Sequence, residues 1–175
     1  RNGYDISYTT DVDSDRRGAL IKNHQTFLSV GHDEYWSGNA RANVEAARDA
    51  GVNLAFFSGN EVYRRTRMEA SKEGSNTPYR TLVCYKETWA GDRLEDVPAE
   101  WTGTWRDPRF MTPTNGGGRP ENALTGTAYM ANSVDLALQV PADQGRYRLW
   151  RNAGLSTTQT TTMAPHTVGY ESDED

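Results

Sequence analysis

The chain has 175 residues, with 19 Lys and Arg against 24 Asp and Glu, a formal net charge of −5. That length fits one domain of ordinary size, and the acidic balance excludes a general phosphate-backbone binder, which needs a basic face. No apolar run approaches the roughly 18 residues that span a bilayer, and the single cysteine, Cys84, excludes an internal disulfide and any cysteine-based zinc site.

Apolar residues make up 35% and there are 16 glycines, so a core is available but thin, and long loops are expected. Arg1 opens the chain without a leader-like segment, and the acidic run Glu171-Ser172-Asp173-Glu174-Asp175 directly follows an apolar stretch. The sequence therefore reads as a single domain truncated at both ends, a piece of a longer protein.

Tyr4-Asp5-Ile6-Ser7-Tyr8-Thr9 alternates large and polar residues, which predicts a half-buried strand. Asp11 to Asp15 reads as a loop in which Ser14 or Asp15 caps a short helix toward Leu20. Thr26-Phe27-Leu28-Ser29-Val30 is a short apolar run ending at Gly31, a buried strand. Ser37 caps a helix with small residues at Ala42, Val44, Ala46, Ala47 and Ala50, and Gly51 ends it. Asn53-Leu54-Ala55-Phe56-Phe57 is the next strand, closed by Ser58-Gly59-Asn60. Val62 to Met68 predicts one or two helical turns. Residues 26–57 thus form a βαβ unit, with a parallel pair and a right-handed crossover, and Tyr4–Thr9 as a neighbouring strand. The fold class expected is α/β with an open, mostly parallel sheet.

The second half has another texture. Tyr79 to Tyr85 predicts a strand. Residues 86–122 then carry Trp89, Trp101, Trp105, Pro98, Pro108, Pro113, Pro120 and Gly116-Gly117-Gly118, a long irregular Trp/Pro/Gly-rich excursion too aromatic for a linker. A helix or strand over Val134–Val140, a strand over Tyr147–Trp150, a Thr-rich stretch at 157–162 and a last strand over Thr167–Tyr170 follow.

Two segments carry the chemistry. Val30-Gly31-His32-Asp33-Glu34-Tyr35-Trp36 leaves one predicted strand and Phe57-Ser58-Gly59-Asn60-Glu61-Val62-Tyr63 leaves the next. Strands joined by one βαβ unit send such segments to the same sheet edge, where open parallel sheets bind ligands. Each brings a Tyr, a carboxylate and a small or amide residue there. Taken singly, the bland readings hold: Tyr as a lid on the core, Glu34 and Glu61 as helix-start carboxylates, His32 as a partner of turn backbone.

Together, Gly31-His32-Asp33-Glu34-Tyr35-Trp36, Phe57 to Tyr63, Tyr79-Arg80, Lys86-Glu87 and Gly169-Tyr170-Glu171 resemble the catalytic-subunit domain of N,N-dimethylformamidase, the large or beta subunit. Trp105-Arg106-Asp107-Pro108-Arg109-Phe110 and Gly118-Arg119-Pro120-Glu121-Asn122 are similar to segments of relatives in large multidomain secreted actinobacterial proteins. The resemblance covers nearly the whole chain. It implies a class I amidotransferase-like, flavodoxin-like sheet and a mononuclear Fe(III) site held by two tyrosinates and a glutamate. Tyr35 matches the first tyrosine, Tyr63 the second, and Glu171 the carboxylate. Phenol oxygen ligates as the anion, and hard oxygen donors suit a hard trivalent cation. His32, Asn60 and Glu61 become the first residues to orient ligands or move protons.

The implied function is iron-dependent hydrolysis of a small amide C–N bond. The implied partners are a small amide substrate, the rest of a longer secreted chain, and a small subunit or a second copy, with neither nucleic acid nor membrane. The alternative is a non-catalytic binding or structural module on the same scaffold, and a third reading keeps the iron site with another substrate.

Other signals are weaker. Asp11-x-Asp13-x-Asp15 opens like a calcium loop, but Arg16 and Lys22 stand where an EF-hand needs Gly and Glu. Cys84 sits inside an apolar strand, where an inert buried thiol is expected. Gly116-Gly117-Gly118 does not join a strand to a helix, so it is no phosphate loop. Trp101, Trp105 and Trp150 are expected to pack beneath the long loop rather than stack on sugars.

Overall fold

The computed structural model describes residues 3–109, 117–133 and 135–174. Phe110, Pro113 and Gly116 of the excursion, and Val134, lie outside the described residues. The chain divides into two compact units, Arg1–Tyr129 with Asp173–Asp175, and Met130–Ser172.

In the first unit, Thr10 opens α1 (Asp11–Arg17) by accepting a hydrogen bond from Asp13 N at 3.1 Å. Asp11 and Asp13 in the first turn and Arg16 and Arg17 in the last complement the helix dipole. The expected cap at Ser14 or Asp15 is thus corrected by one turn, and both residues are buried within the helix. A 3-10 turn, Gly18–Asn23, follows, and a Cβ at Gly18 would collide with the Asn43 side chain. The close approach lets Asn43 Nδ2 donate to Ser14 O at 2.8 Å and Asp15 O at 2.9 Å.

The βαβ expectation holds. β1 (Thr26–Val30) and β3 (Asn53–Phe57) are parallel and in register from Thr26↔Asn53 to Val30↔Phe57. Between them come β2 (Tyr35–Ser37) and α2 (Gly38–Asp49). Ser37 caps α2 by accepting from Ala40 N at 3.0 Å, and Gly51 follows the helix at φ 96°. The buried face of α2 is Ala40, Val44 and Ala47, at helical spacing, whereas Ala42 and Ala50 face solvent. With Ile21, Trp36, Val52, Val62, Trp105 and Leu124 these residues form the core, and Phe27 and Phe56 pack on Trp36.

Two expected elements are corrected. Tyr4–Thr9 is irregular, with Tyr4 and Tyr8 exposed, because no ladder sets it beside another strand. Val62–Met68 is not helical: β4 (Arg64–Glu69) pairs parallel with β2, from Tyr35↔Arg64 to Ser37↔Thr66, and antiparallel with β5 (Thr81–Val83). Burial alternates along the start of β4, a period of two carried by Arg and Thr instead of apolar residues. β5 is shorter than the strand expected over Tyr79–Tyr85.

The excursion is held by buried polar groups. Glu87, at the start of α3 (Glu87–Ala90), is fully buried, and its carboxylate accepts from Leu94 N, Glu95 N and Thr102 N at 2.7–2.9 Å. Arg41 of α2 donates to Arg119 O and Pro120 O and lies 4.8 Å from the Trp105 ring centroid. Trp101 and Trp105 are buried, as expected. Further along, α4 (Asn122–Thr125) precedes β6 (Ala128–Asn132), which pairs with β9 (Glu171–Glu174).

In the second unit, β7 (Gln139–Val140) pairs antiparallel with β8 (Thr161–Thr162). Among residues 135–140 only Gln139–Val140 is regular, and 3-10 turns Gln144–Arg146 and Arg148–Trp150 replace the strand expected over Tyr147–Trp150. The last strand begins at Glu171, after the expected Thr167–Tyr170, and Trp150 is half-buried. The class is α/β, but the described strands form four small sheets of two or three strands, so the expected single open sheet of flavodoxin-like form is corrected.

Candidate functional site

The register Val30↔Phe57 sends Gly31–Trp36 and Ser58–Tyr63 off the same edge of the parallel pair. Val62 N then donates to Asp33 O at 2.9 Å and Arg64 N to Glu34 O at 2.7 Å, so the two segments run side by side into the β2–β4 ladder. Asn60 at φ 60° and Val62 at φ 54° sit in the left-handed region, costly for β-branched Val62.

A carboxyl cluster lies at the base of these loops. Ser29 Oγ is 2.8 Å from Asp33 Oδ2 and 3.0 Å from Glu61 Oε2. The hydroxyl has one proton, so when it donates to one carboxyl, the other must carry a proton to complete the pair. Glu61 is fully buried and its Oε1 has no hydrogen-bond partner. Burial first, with the charges of Asp33 and Asp173 adding, pushes Glu61 up to about 8 against the Ser29 hydrogen bond. Burial also raises Asp33. Nearby, Asn60 Nδ2 is 3.4 Å from His32 Nε2, and Asn60 N donates to Asp173 Oδ1 at 2.6 Å.

The two tyrosines lie among cations. The Lys86 ammonium is 5.6 Å from the Tyr35 ring centroid, and its hydrogen bond to Tyr35 is the largest cause that holds Lys86 above its usual range. Arg64, opposite Tyr35 in the ladder, stands 5.0 Å from the Tyr63 ring centroid and 5.3 Å from that of Trp89, and its Nε donates to Glu34 Oε1 at 3.3 Å. The Arg106 guanidinium is 5.2 Å from the Tyr63 centroid, and Tyr129 packs edge-on at 4.9 Å. Arg106 also pairs with fully buried Glu121.

The structure therefore joins Tyr35 and Tyr63 through Arg64, and joins His32, Asn60 and Glu61 through the adjoining loops. Glu171 opens β9 in the second unit. Sequence reasoning missed Ser29, Asp33, Arg64, Lys86, Arg106 and Asp173 as parts of this region. Asp33, Lys86 and Arg106 stood in the quoted segments, Ser29 in the strand expected before Gly31, and Asp173 in the acidic run that follows Tyr170.

Among the described residues no group of three or more His, Cys, Asp or Glu is placed to hold a metal ion. A metal here would depend on phenol oxygens. The donor chemistry suits a hard cation: two phenols lie beside Arg64, and the surrounding ammonium and guanidinium groups are compatible with negative charge on oxygen.

Cys84 is half-buried rather than buried, with Sγ 3.8 Å from Thr102 O, and burial raises its thiol, so it stays a protonated packing residue. The Asp11-x-Asp13-x-Asp15 segment lies on α1. No described helix is long and apolar enough to cross a membrane. The family described as N,N-dimethylformamidase beta subunit-like, C-terminal, matches residues 1–175, the whole chain. No curated protein matches the chain.

Proposed function

The chain belongs to the N,N-dimethylformamidase beta subunit-like, C-terminal family, and from that premise we propose that it hydrolyses the C–N bond of a small amide beside Tyr35 and Tyr63. The observation that supports the reading is the placement of both tyrosines against Arg64: Tyr35 is its ladder partner on β2, and the Tyr63 ring centroid lies 5.0 Å from its guanidinium. Tyr35 and Tyr63 would supply phenolate ligands to a ferric ion. When bound, the ion supplies Lewis-acid chemistry to an amide carbonyl.

The remaining work falls to the chain's own residues. Lys86 holds the Tyr35 oxygen, and Arg64 and Arg106 fix the Tyr63 ring from its neighbours. Glu61, neutral at pH 7, has a proton to give, and Ser29 and Asp33 are in line to return it. His32 and Asn60 orient one another at the mouth of the loops. Asp173 fixes the Asn60 backbone. A family named for a beta subunit is consistent with a partner chain completing the enzyme.

The test is iron content and the visible spectrum of the purified protein, with hydrolysis of N,N-dimethylformamide as the activity. Near-stoichiometric iron and a phenolate-to-ferric absorption band, both lost in Tyr35→Phe and Tyr63→Phe, are expected. A folded, colourless protein whose metal content is unchanged by either substitution refutes the reading and leaves a binding module on an α/β scaffold.

A further inference from the structure

Tyr35 and Tyr63 are held in different ways. Tyr35 lies on β2 and is bonded by Lys86. Tyr63 lies one residue before β4, and its carbonyl accepts from Trp105 N at 3.2 Å. That bond fixes the Tyr63 backbone and leaves the ring free to turn. A tyrosine ring turns about its Cβ–Cγ bond between broad wells. A ligating oxygen must instead be held in one direction by its surroundings.

Tyr129 supplies a contact that limits the turning. Its ring meets the Tyr63 ring edge-on, with centroids 4.9 Å apart and planes at 63°, an arrangement in which aromatic rings attract. Both residues are half-buried. The Arg106 guanidinium, 5.2 Å from the Tyr63 centroid, is the third member of the group.

A contact orients a ring only if it is itself fixed, and Tyr129 is fixed through its backbone. Tyr129 N donates to Glu121 Oε1 at 3.2 Å, and Tyr129 O accepts from Arg106 Nη2 at 2.6 Å. Those two side chains form an ion pair with two bonds, Arg106 Nε to Glu121 Oε2 at 3.2 Å and Arg106 Nη2 to Glu121 Oε1. One ion pair thus takes both polar backbone groups of Tyr129. Because Arg106 also lies against Tyr63, the two rings share an anchor.

Glu121 is anchored in turn. It is fully buried, and its backbone oxygen accepts from Leu124 N at 2.8 Å and Thr125 N at 3.0 Å. The preceding carbonyls, Arg119 O and Pro120 O, accept from buried Arg41 of α2 at 2.8 and 3.1 Å. The contacts therefore run from α2 through Glu121 and Arg106 to Tyr129 and end on Tyr63, all within the first unit. A buried ion pair contributes little net stability, but its directed bonds fix geometry.

We propose that Tyr129, clamped by the Arg106–Glu121 pair, is a positioning residue for Tyr63 and sets the direction of the phenol oxygen toward the candidate metal site. The inference rests on the reading of Tyr63 as a phenolate ligand. The ring of Tyr129 is what acts, and its hydroxyl is not required.

The test uses the full 175-residue chain with isotope-labelled tyrosine, first freed of metal by a chelator and then loaded with ferric ion. In the metal-free protein the readout is the flip rate of the Tyr63 ring, identified by its loss in Tyr63→Phe. Tyr129→Leu is expected to speed flipping several-fold, and Tyr129→Phe to keep the parental rate. With iron, Tyr129→Leu is expected to shift the phenolate-to-ferric band and to weaken ferric affinity several-fold, while Tyr129→Phe keeps both. Arg106→Lys keeps the charge but gives up the two-bond fork. It is expected to act like Tyr129→Leu, and it decides if Tyr129→Leu does not fold. A folded Tyr129→Leu with parental ring flipping, or one whose melting temperature falls while band and affinity stay parental, overturns the positioning role. So does a Tyr129→Phe that behaves like Tyr129→Leu. A parent chain that takes up no iron overturns instead the reading of Tyr63 as a ligand, and the metal-free flip rates still decide whether Tyr129 orients the ring.

Discussion

Ser29 offers one proton to two carboxyls, and burial outweighs its hydrogen bond to keep Glu61 protonated. In the folded chain Glu61 is pushed up to about 8 by burial, then by the charges of Asp33 and Asp173; its ordinary value is 4.5. The folded state keeps the proton that the unfolded state releases, so this group favours folding below about pH 4.5 and opposes it increasingly as pH rises toward 8. The slope approaches about 1.4 kcal/mol per pH unit in that window. In protein stripped of metal by a chelator, Glu61→Gln is expected to match the parent near pH 4 and to be several kcal/mol more stable near pH 8. Urea unfolding at the two pH values checks this, and equal stability at pH 8 would show Glu61 to be ionised in the fold. The sequence showed Glu61 as a loop carboxylate beside Tyr63. It did not show that Ser29, 32 positions earlier, would share a proton with it, because the β1–β3 register alone brings them together.

At the scale of elements, the signals that held were local and chemical. Ser37 read as a cap because a hydroxyl before a helical run satisfies a free N–H, and it does so at Ala40. Ser37→Ala is expected to cost about 1 kcal/mol from the cap alone. It should cost more in total, because Ser37 also donates to buried Asp15; thermal unfolding measures the sum. The elements that were misread depended on distant partners. β4 carries Arg64, Arg65 and Arg67 where a strand is expected to show apolar alternation, and their guanidinium groups lie over the rings of Tyr63, Trp105 and Tyr85. Tyr4–Thr9 has the alternation but pairs with no strand among the described residues. Glu87 shows the same dependence within the excursion. Its carboxylate takes three backbone N–H groups, so Glu87→Ala leaves three donors without it and is expected to cost roughly 3 kcal/mol or more. Glu87→Gln, which keeps an acceptor oxygen, is expected to recover part of that loss in urea unfolding.

For the whole molecule, burial is unequal between the units. Trp36, Ala40, Val44, Ala47, Val62 and Trp105 all lie within Arg1–Tyr129, whereas Val140 is the one buried hydrophobic described in Met130–Ser172. The sequence anticipated a thin core from its 35% apolar content but not where it would concentrate. Leu136, Leu149 and Val168 fell within segments expected to be regular, and the structure shows all three exposed. Protection against amide exchange follows buried apolar contact and shielded hydrogen bonds. Amides of α2, β1 and β3 are therefore expected to exchange only through opening of the first unit as a whole. Those of residues 141–160, held by 3-10 turns and exposed side chains, should exchange far faster. Hydrogen–deuterium exchange resolved by peptide separates the two cases. If the second unit is protected as strongly as α2, its stability comes from something beyond its own buried surface, and a docked partner or the remainder of a longer chain becomes the place to look for it. If it exchanges fast while α2 stays protected, the loops that carry Tyr35, Glu61 and Tyr63 rest on the first unit's core, and substitutions in the second unit should leave their geometry intact.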